Sequence, residues 1–421
     1  MKIGYLIPEF PGQTHIWMWR EIIHMREWGA EIDIFSTREP DAKTQAKHAF
    51  AQAASDKTYY LWPQPSLKLI RDIAWAIAQH PKGFLEMLKL CFTLDLKKQP
   101  AWKETLPLAL LTPALAKEAL NRDIQHFHVH SCSRSAVLAM MVKRLVGIPF
   151  SMTLNAKIEG WGGAMEQKFL DAAFTISITD WLLAQMKSDY QQLDDDKALL
   201  GRIGVDTTKW YPAETLPNPE DGEFRLITVG RLHPCKGHDI LIKTVKRLLD
   251  SGRDITLKIV GSGPIEQELK ALVKTLGLSE KITFTGSLSE DQIIELMHQS
   301  HAFALASHAE ALGVVYMEAM SMGVPTIGTN AGGVTEIISD QQDGLLVPPR
   351  DEVALQAAIE RVMDDPGLRK QLSENGRRSI VERFDSRIGA ATLYQKLYGE
   401  YPNGESAAVR VSEEKAAVAG S

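Results

Sequence analysis

Cysteine is scarce in this chain: three in 421 residues, at Cys91, Cys132 and Cys235, odd in number and far apart. That excludes a disulfide framework and predicts a reduced setting. Long apolar runs are missing as well. The most apolar stretch, Leu106–Ala116, is broken by Pro107, Thr112 and Pro113 and is too short to span a bilayer. No block of Lys or Arg stands out, and 47 basic residues against 53 acidic ones leave a net charge of −6. A nucleic-acid surface is therefore not expected. The opening MKIGYLIPEF runs into an apolar strand with no small-residue cleavage site behind it, so no targeting segment is read there. The expectation is a cytoplasmic protein, soluble or held at the inner face of the plasma membrane.

What is present is ordinary globular material, 44% apolar and 24% charged, and its length predicts two or three domains. Short apolar runs alternate with helical patterns. In the first half the expected strands are Lys2–Ile7, Glu31–Phe35, His126–His130, Phe150–Leu154, Phe174–Ile178 and Ala198–Ile203, with helices over Ile16–Trp28, Arg134–Val146 and Asp180–Gln191. The pattern then restarts with Phe224–Val229, Ile255–Val260, Lys281–Thr285, Ala302–Ala306, Val324–Thr329 and Gly344–Val347. Short apolar strands bounded by turn residues fit parallel sheets covered on both faces. The fold class expected is α/β, two tandem Rossmann-like doubly wound domains with the ligand cleft between them. Residues 1–205 form the first domain, with a helical insertion over 66–121. Residues 206–223, rich in Pro, Asp and Glu, read as a linker, 224–385 as the second domain, and 401–421 as a disordered tail.

The most informative segment is His308–Ile337. Glu310 and Glu318 are separated by seven residues, with Gly313 between them and a helix expected to open near Val315. A helix N-terminus offers free N–H groups and partial positive charge to a diphosphate, and Gly313 permits close approach. Glu318, one turn in, suits a ribose diol, and Glu310 suits a sugar. In Thr228–Asp239, Arg231 and Lys236 follow a strand end and precede a helix opening near Gly237. Two cations at the carboxyl edge of a parallel sheet match two phosphate charges.

Together, G-R-L-x3-K-G from Gly230, V-G-S-G-P over Val260–Pro264, F-T-G over Phe284–Gly286, and E-x7-E followed by G-G-V-x-E over Gly332–Glu336 resemble the retaining glycosyltransferases of family 4, with the GT-B fold. The match covers nearly the whole second domain in order. The first domain matches more loosely, through Pro11-Gly12-Gln13-Thr14 and the HVH strand. The resemblance implies an enzyme, a hexosyltransferase, moving a sugar from a nucleoside diphosphate, UDP ahead of GDP, to a hydroxyl of a glycan or lipid-linked acceptor in bacterial cell-surface polysaccharide or glycolipid synthesis. It implies catalytic roles for Arg231, Lys236 and Glu310. Gly12, Gly230, Gly261, Gly263, Gly286, Gly313, Val314, Val315 and Glu318 join them in donor binding. The helix over 386–400 is expected to cross back to the first domain. No metal is expected, because Arg and Lys offset the leaving-group charge. Same-fold alternatives are a nucleotide-sugar epimerase or phosphorylase, or a non-catalytic nucleotide-sugar binding protein.

Asn155 departs from the family's T-x-H motif, so either acceptor geometry differs or activity is reduced. Leu312 stands where the family commonly has an aromatic residue. Gln13, His15, His130, Asn155 and Lys157 are the acceptor-side candidates. His126, His128 and His130 alternate along one strand face and so raise a metal, but no cysteine or carboxylate pair is seen to complete a site. Asp194-Asp195-Asp196 reads as a solvated loop. Gly261-Ser262-Gly263 lacks the third glycine of a dinucleotide fingerprint, Pro264 being expected to start the helix. Ser66–Lys103 carries seven Lys/Arg against three Asp/Glu, with Trp75, Phe84, Phe92 and Trp102. Packing of its apolar faces on the first domain is favoured for most of it, with peripheral contact to an anionic membrane kept open.

Overall fold

A computed structural model describes residues 1–12, 15–40, 50–97, 100–214, 217 and 222–400. Gln13 and Thr14, most of the linker's centre and the 401–421 tail lie outside the described residues. The chain divides into two compact units, one of residues Met1–Arg202 joined by the chain from Ala390, the other Ile203–Gly389.

In the first unit, β1 (Lys2–Glu9), α1 (Ile16–Glu27), β2 (Glu31–Arg38), α2 (Ala51–Asp56) and β3 (Thr58–Trp62) lead into three consecutive helices, α3 (Ser66–Gln79), α4 (Pro81–Thr93) and α5 (Trp102–Asn121). Then come β4 (His126–His130), α6 (Arg134–Val146), β5 (Phe150–Leu154), α7 (Met165–Asp171), β6 (Thr175–Ser177), α8 (Asp180–Asp189) and β7 (Ala198–Leu200). The seven strands run β3-β2-β1-β4-β5-β6-β7, each pair parallel. Strands β4 and β5 are buried at every residue; β5 reads accordingly as an apolar and small-polar run, whereas β4 alternates three buried histidines with Phe127 and Val129. The insertion holds three helices, with residues 94–97 non-helical and Leu96 bridging Gly163, and Pro107 and Pro113 sit inside α5 without ending it. The short strand β3 was not anticipated. Trp17, Trp19 and Trp28 pack against the core cluster around Ile3, Tyr5 and Phe10.

The second unit holds β8 (Phe224–Val229), α9 (His238–Asp250), β9 (Ile255–Val260), α10 (Glu266–Thr275), β10 (Ile282–Gly286), α11 (Glu290–His298), β11 (Ala302–Ala304), α12 (Val314–Ser321), β12 (Thr326–Thr329), α13 (Val334–Ile337), β13 (Leu345–Val347), α14 (Glu352–Asp364) and α15 (Pro366–Arg383). Its parallel sheet runs β10-β9-β8-β11-β12-β13. Two expectations need correction. Helix α12 opens at Val314, one residue early, because Gly313 takes the left-handed N-cap conformation. Pro264 does not start α10, which begins at Glu266 after a turn.

Part of the segment read as a linker is built into the second unit. Trp210 is buried, and its indole Nε1 donates to Glu290 Oε1 at 2.9 Å, while Lys209 Nζ meets Glu290 Oε2 at 2.8 Å. Arg377 donates to the carbonyls of Thr207 and Trp210. Helix α16 (Ser386–Tyr398) contains the division between units, and its Tyr394 donates to Trp28 O within the first. Among the described residues no helix is long and apolar enough to cross a membrane. All three cysteines are free.

Candidate active site

Each sheet has one place where successive crossovers turn to opposite sides. In the second unit it lies between β8 and β11, neighbours in space and separated in sequence by β9 and β10. A crevice forms outside the carboxyl ends of strands at such a switch point. The loop after β8 carries Gly230, Arg231 and Lys236, and the loop after β11 carries Glu310 and Gly313. The sheet order thus brings together two motifs that the sequence keeps 74 residues apart.

These loops are fastened to one another. Lys236 Nζ forms an ion pair with Glu310 Oε2, both side chains largely buried. Ser307 Oγ lies 3.4 Å from the same oxygen, and His308 N donates to Cys235 O at 2.7 Å. Gly237 adopts φ +64°, and a Cβ there would lie 1.9 Å from Ala306 O, so only glycine allows the two chains to touch. Arg231 is exposed on the same loop and has no ion-pair partner among the described residues. Lys236 is therefore aimed and partly neutralised in advance, whereas Arg231 keeps an open guanidinium.

Behind the cations the backbone is packed against itself. Gly261 would place a Cβ 2.0 Å from Gly230 O, and Gly263 one 2.2 Å from Leu232 O. Gly230 N donates to Val260 O, Leu232 N to Ser262 O, and Gly261 N to Gly286 O. Close chain-to-chain contact thus accounts for the glycines at 261 and 263 and sets three loop ends side by side. Gly332 plays a similar part for Glu310: its Cβ would fall 2.1 Å from Glu310 O, and Gly333 N donates to that oxygen.

Helix α12 begins beside Glu310. The N–H groups of Val314 and Val315 lie in its first turn and have no carbonyl of their own helix to meet. Glu318 is buried in its second turn, and Leu312 is buried in the loop before it. His238, the first residue of α9, is buried, and burial pulls its imidazole down to about 4.

The first unit has its switch point between β1 and β4. Gly12 and His15 follow β1, and Gly12 N donates to His15 Nδ1 at 3.1 Å. Burial, with His130 nearby, holds His15 at about 4. His130, at the end of β4, is fully buried, and its Nε2 lies 3.0 Å from Glu21 Oε1 on α1. Tyr5 donates its hydroxyl to the same oxygen at 3.1 Å. His130 Nδ1 and Asn155 Oδ1, at the ends of adjacent strands β4 and β5, are buried and have no hydrogen-bond partner among the described residues. Lys157 is exposed, its ammonium 6.0 Å from the centre of the Trp181 ring.

The histidine strand needs a correction. Sequence offered no carboxylate there, yet the fold supplies Glu21, and ligand atoms of Glu21, His128 and His130 lie within 4.8 Å of one another. The neighbouring strand also gives the histidines a different occupation. His126 Nε2 and His128 Nδ1 each lie 2.8 Å from Ser151 Oγ, and His128 Nε2 lies 3.0 Å from Thr153 Oγ1. Both ring nitrogens of His128 are thus already hydrogen-bonded. Glu21, Tyr5, Ser151 and Thr153 carried no sequence signal for these roles. Nor did Lys168, a buried lysine whose ammonium donates to the carbonyls of Cys132, Trp161 and Gly163 and ties the loops after β4 and β5. Asp194, Asp195 and Asp196 are exposed in a loop, with Asp195 and Asp196 paired to Lys187 and Lys396.

A family model described as glycosyl transferases group 1 matches residues 216–379. An α-D-kanosaminyltransferase of Streptomyces kanamyceticus is 34% identical over 285 residues, covering 62% of this chain and 73% of that protein. A putative colanic acid biosynthesis glycosyltransferase of Escherichia coli is 23% identical over 370 residues, 84% of this chain and 89% of the relative. Among solved structures, Anabaena HepE in complex with UDP superposes with a TM-score of 0.71 at 17% identity, covering 95% of this chain and all of that one.

Proposed function

Since this chain belongs to the group 1 glycosyl transferases, we propose that its particular reaction is the retaining transfer of a hexose from a nucleoside diphosphate, UDP in preference to GDP, as in family 4. The acceptor is a hydroxyl of a glycan or lipid-linked sugar in cell-surface polysaccharide or glycolipid synthesis. The observation that carries this reading is the Lys236–Glu310 pair, which joins the two halves of the motif at the switch point of the second sheet. HepE was solved with UDP, and the colanic acid relative supports the polysaccharide setting.

In this mechanism Arg231 and Lys236 bind the diphosphate and offset charge as it departs. Each charge-assisted hydrogen bond to an oxygen contributes roughly 1.5–3 kcal/mol. The amides of Val314 and Val315 add donors at the positive end of α12. Donor binding frees Glu310 from Lys236 and leaves its carboxylate to face the sugar, where it stabilises an oxocarbenium-like centre. Glu318 takes the ribose diol. Asn155 hydrogen-bonds an acceptor or donor oxygen without shuttling a proton. Two cations and a helix terminus supply the electrostatic part of the step, so no metal is required.

Thermal unfolding with UDP, GDP and ADP, each with and without EDTA, tests this directly. A ligand at about a hundred times its dissociation constant adds about 2.7 kcal/mol, on the order of 5–10 °C for a domain of this size. The expected result is a shift with UDP that survives EDTA. No shift with any nucleotide sinks the donor site as drawn. Tight binding with neither transfer nor slow donor hydrolysis favours a non-catalytic binding protein.

A further inference from the structure

Helices α3 and α4 present apolar side chains on the side turned away from their own unit. Their inner faces are occupied: Asp72 and Ala76 of α3 are buried, Asp72 pairing with Lys117 at 3.0 Å, and Met87, Leu90 and Cys91 of α4 are buried. Their outer faces are not. Leu67 is 83% exposed, and Ile70 and Ile77 are at least half exposed; the three fall on one stripe of α3 at the spacing of a 3.6-residue helix. Leu85 and Phe92, seven residues apart and so aligned on α4, are 61% and 68% exposed. The expectation that most of this segment's apolar surface packs on its own unit is therefore only half met: Trp75 and Phe84 are half-buried, while Phe92 and Trp102 face solvent.

The charge around these stripes points to their occupant. The exposed charges of α3 and α4 are Arg71, Lys82 and Lys89 against Glu86, which is itself paired to Lys89. Ser66–Lys103 as a whole holds seven basic and three acidic residues, while the chain carries −6. Two-fold pairing with a second copy would bring like charges together along both helices. An anionic bilayer meets both features, apolar depth below and negative charge beside it.

We infer that α3 and α4 lie on an anionic membrane surface, with Leu67, Ile70, Ile77, Leu85 and Phe92 in the acyl boundary and Arg71, Lys82 and Lys89 at the phosphates. Neither helix is long enough to cross it, so the protein lies on the bilayer rather than in it. This deepens the acceptor side of the proposed reaction, and only the acceptor's lipid-linked identity rests on that proposal.

Co-sedimentation of the full chain with vesicles of phosphatidylcholine alone, and with about 30% phosphatidylglycerol added, is the test. Binding is expected to the anionic vesicles and to fall steeply when salt is raised from about 0.1 to about 0.5 M. Leu85→Ser with Phe92→Ser should cut partitioning about tenfold or more. Lys82→Gln and Lys89→Gln should each cut it about fivefold. All are surface changes, and an unchanged melting temperature confirms that the variants are folded. Equal binding to both vesicle types removes the charge argument. No binding, or binding that the serine pair leaves untouched, overturns the inference. So does a dimer in vesicle-free solution that the serine pair dissociates, which would assign the stripes to a second copy. Nucleotide-induced stabilisation is measured without lipid, so failure here and failure of the donor site are told apart.

Discussion

The two switch points of this protein are built from opposite materials. In the second unit the crevice is backbone and charge: glycines pack chain against chain, an exposed Arg231 stands free, and Lys236 is held by Glu310. In the first it is buried imidazole, hydroxyl and aromatic surface: His128 between Ser151 and Thr153, and His130 between Glu21 and the Tyr5 and Trp17 rings. A site made of backbone proximity is specified by which residues lack a side chain, and those are visible in a motif. A site made of buried polar pairs is specified by partners from distant elements, which a motif does not reveal.

Acid should separate the two units most strongly. In the first, burial holds His15 and His126 at about 4 and His128 lower still; in the second, among the described residues, only His238 falls as far as about 4. An unfolded imidazole takes its proton near 6.5. The unfolded chain therefore binds more protons between pH 6.5 and 4, so the stabilising contribution is full above 6.5 and lost as pH falls through that window. Each such histidine contributes about 1.4 kcal/mol per pH unit across it. Hydrogen exchange at pH 7 and pH 5 should show the first unit losing protection ahead of the second. The reverse order would break the comparison.

Glu21→Leu takes away the carboxylate that His130 Nε2 meets in the interior and leaves the Tyr5 hydroxyl only the weak acceptor Met25 Sδ. Leaving a buried donor without an acceptor costs about 1–3 kcal/mol. The melting temperature should fall by about 5–10 °C, while UDP at saturation still stabilises the second unit. Loss of nucleotide binding in this variant would mean that the two edges are not separable.

Lys236→Ala probes the second unit. It should lower kcat/KM by about 10- to 100-fold, the loss of one charge-assisted contact. It should also lower the melting temperature of the unliganded protein, because the largely buried Glu310 carboxylate loses its ion-pair partner. Arg231→Ala should act in the same direction. Unchanged binding and turnover in both variants would remove them from the site.

Much of the fold was legible. The limits of β4, β5, β8 and β9 coincide with the short runs read from the chain, because a strand covered on both faces is mostly apolar between turn residues, the exceptions being the buried histidines of β4 and the half-buried Arg225 and Lys258. The second-unit motif was legible for a similar local reason: a left-handed backbone at Gly237 and Gly313 and contact-tight glycines at Gly261 and Gly332 tolerate little else. Strand β3, as long as β4 and β5, went unread because it lies at the sheet edge and only Leu61 of its residues is fully buried, so it carries no continuous apolar run.

By itself, then, the sequence determined the alternation of strands and helices, the two series, and the glycine-and-charge motif of the second unit to which diphosphate binding is proposed, since each follows from periodicity or from a backbone requirement written at a single position. Tertiary structure alone decided that Glu21 backs His130, that Ser151 and Thr153 occupy the nitrogens of His128, and that Lys168 ties two loops together. It also decided which apolar stripe of α3 and α4 faces inward and which remains exposed. Partnership and exposure depend on what packs alongside, and that is fixed only when elements distant in the chain close on one another.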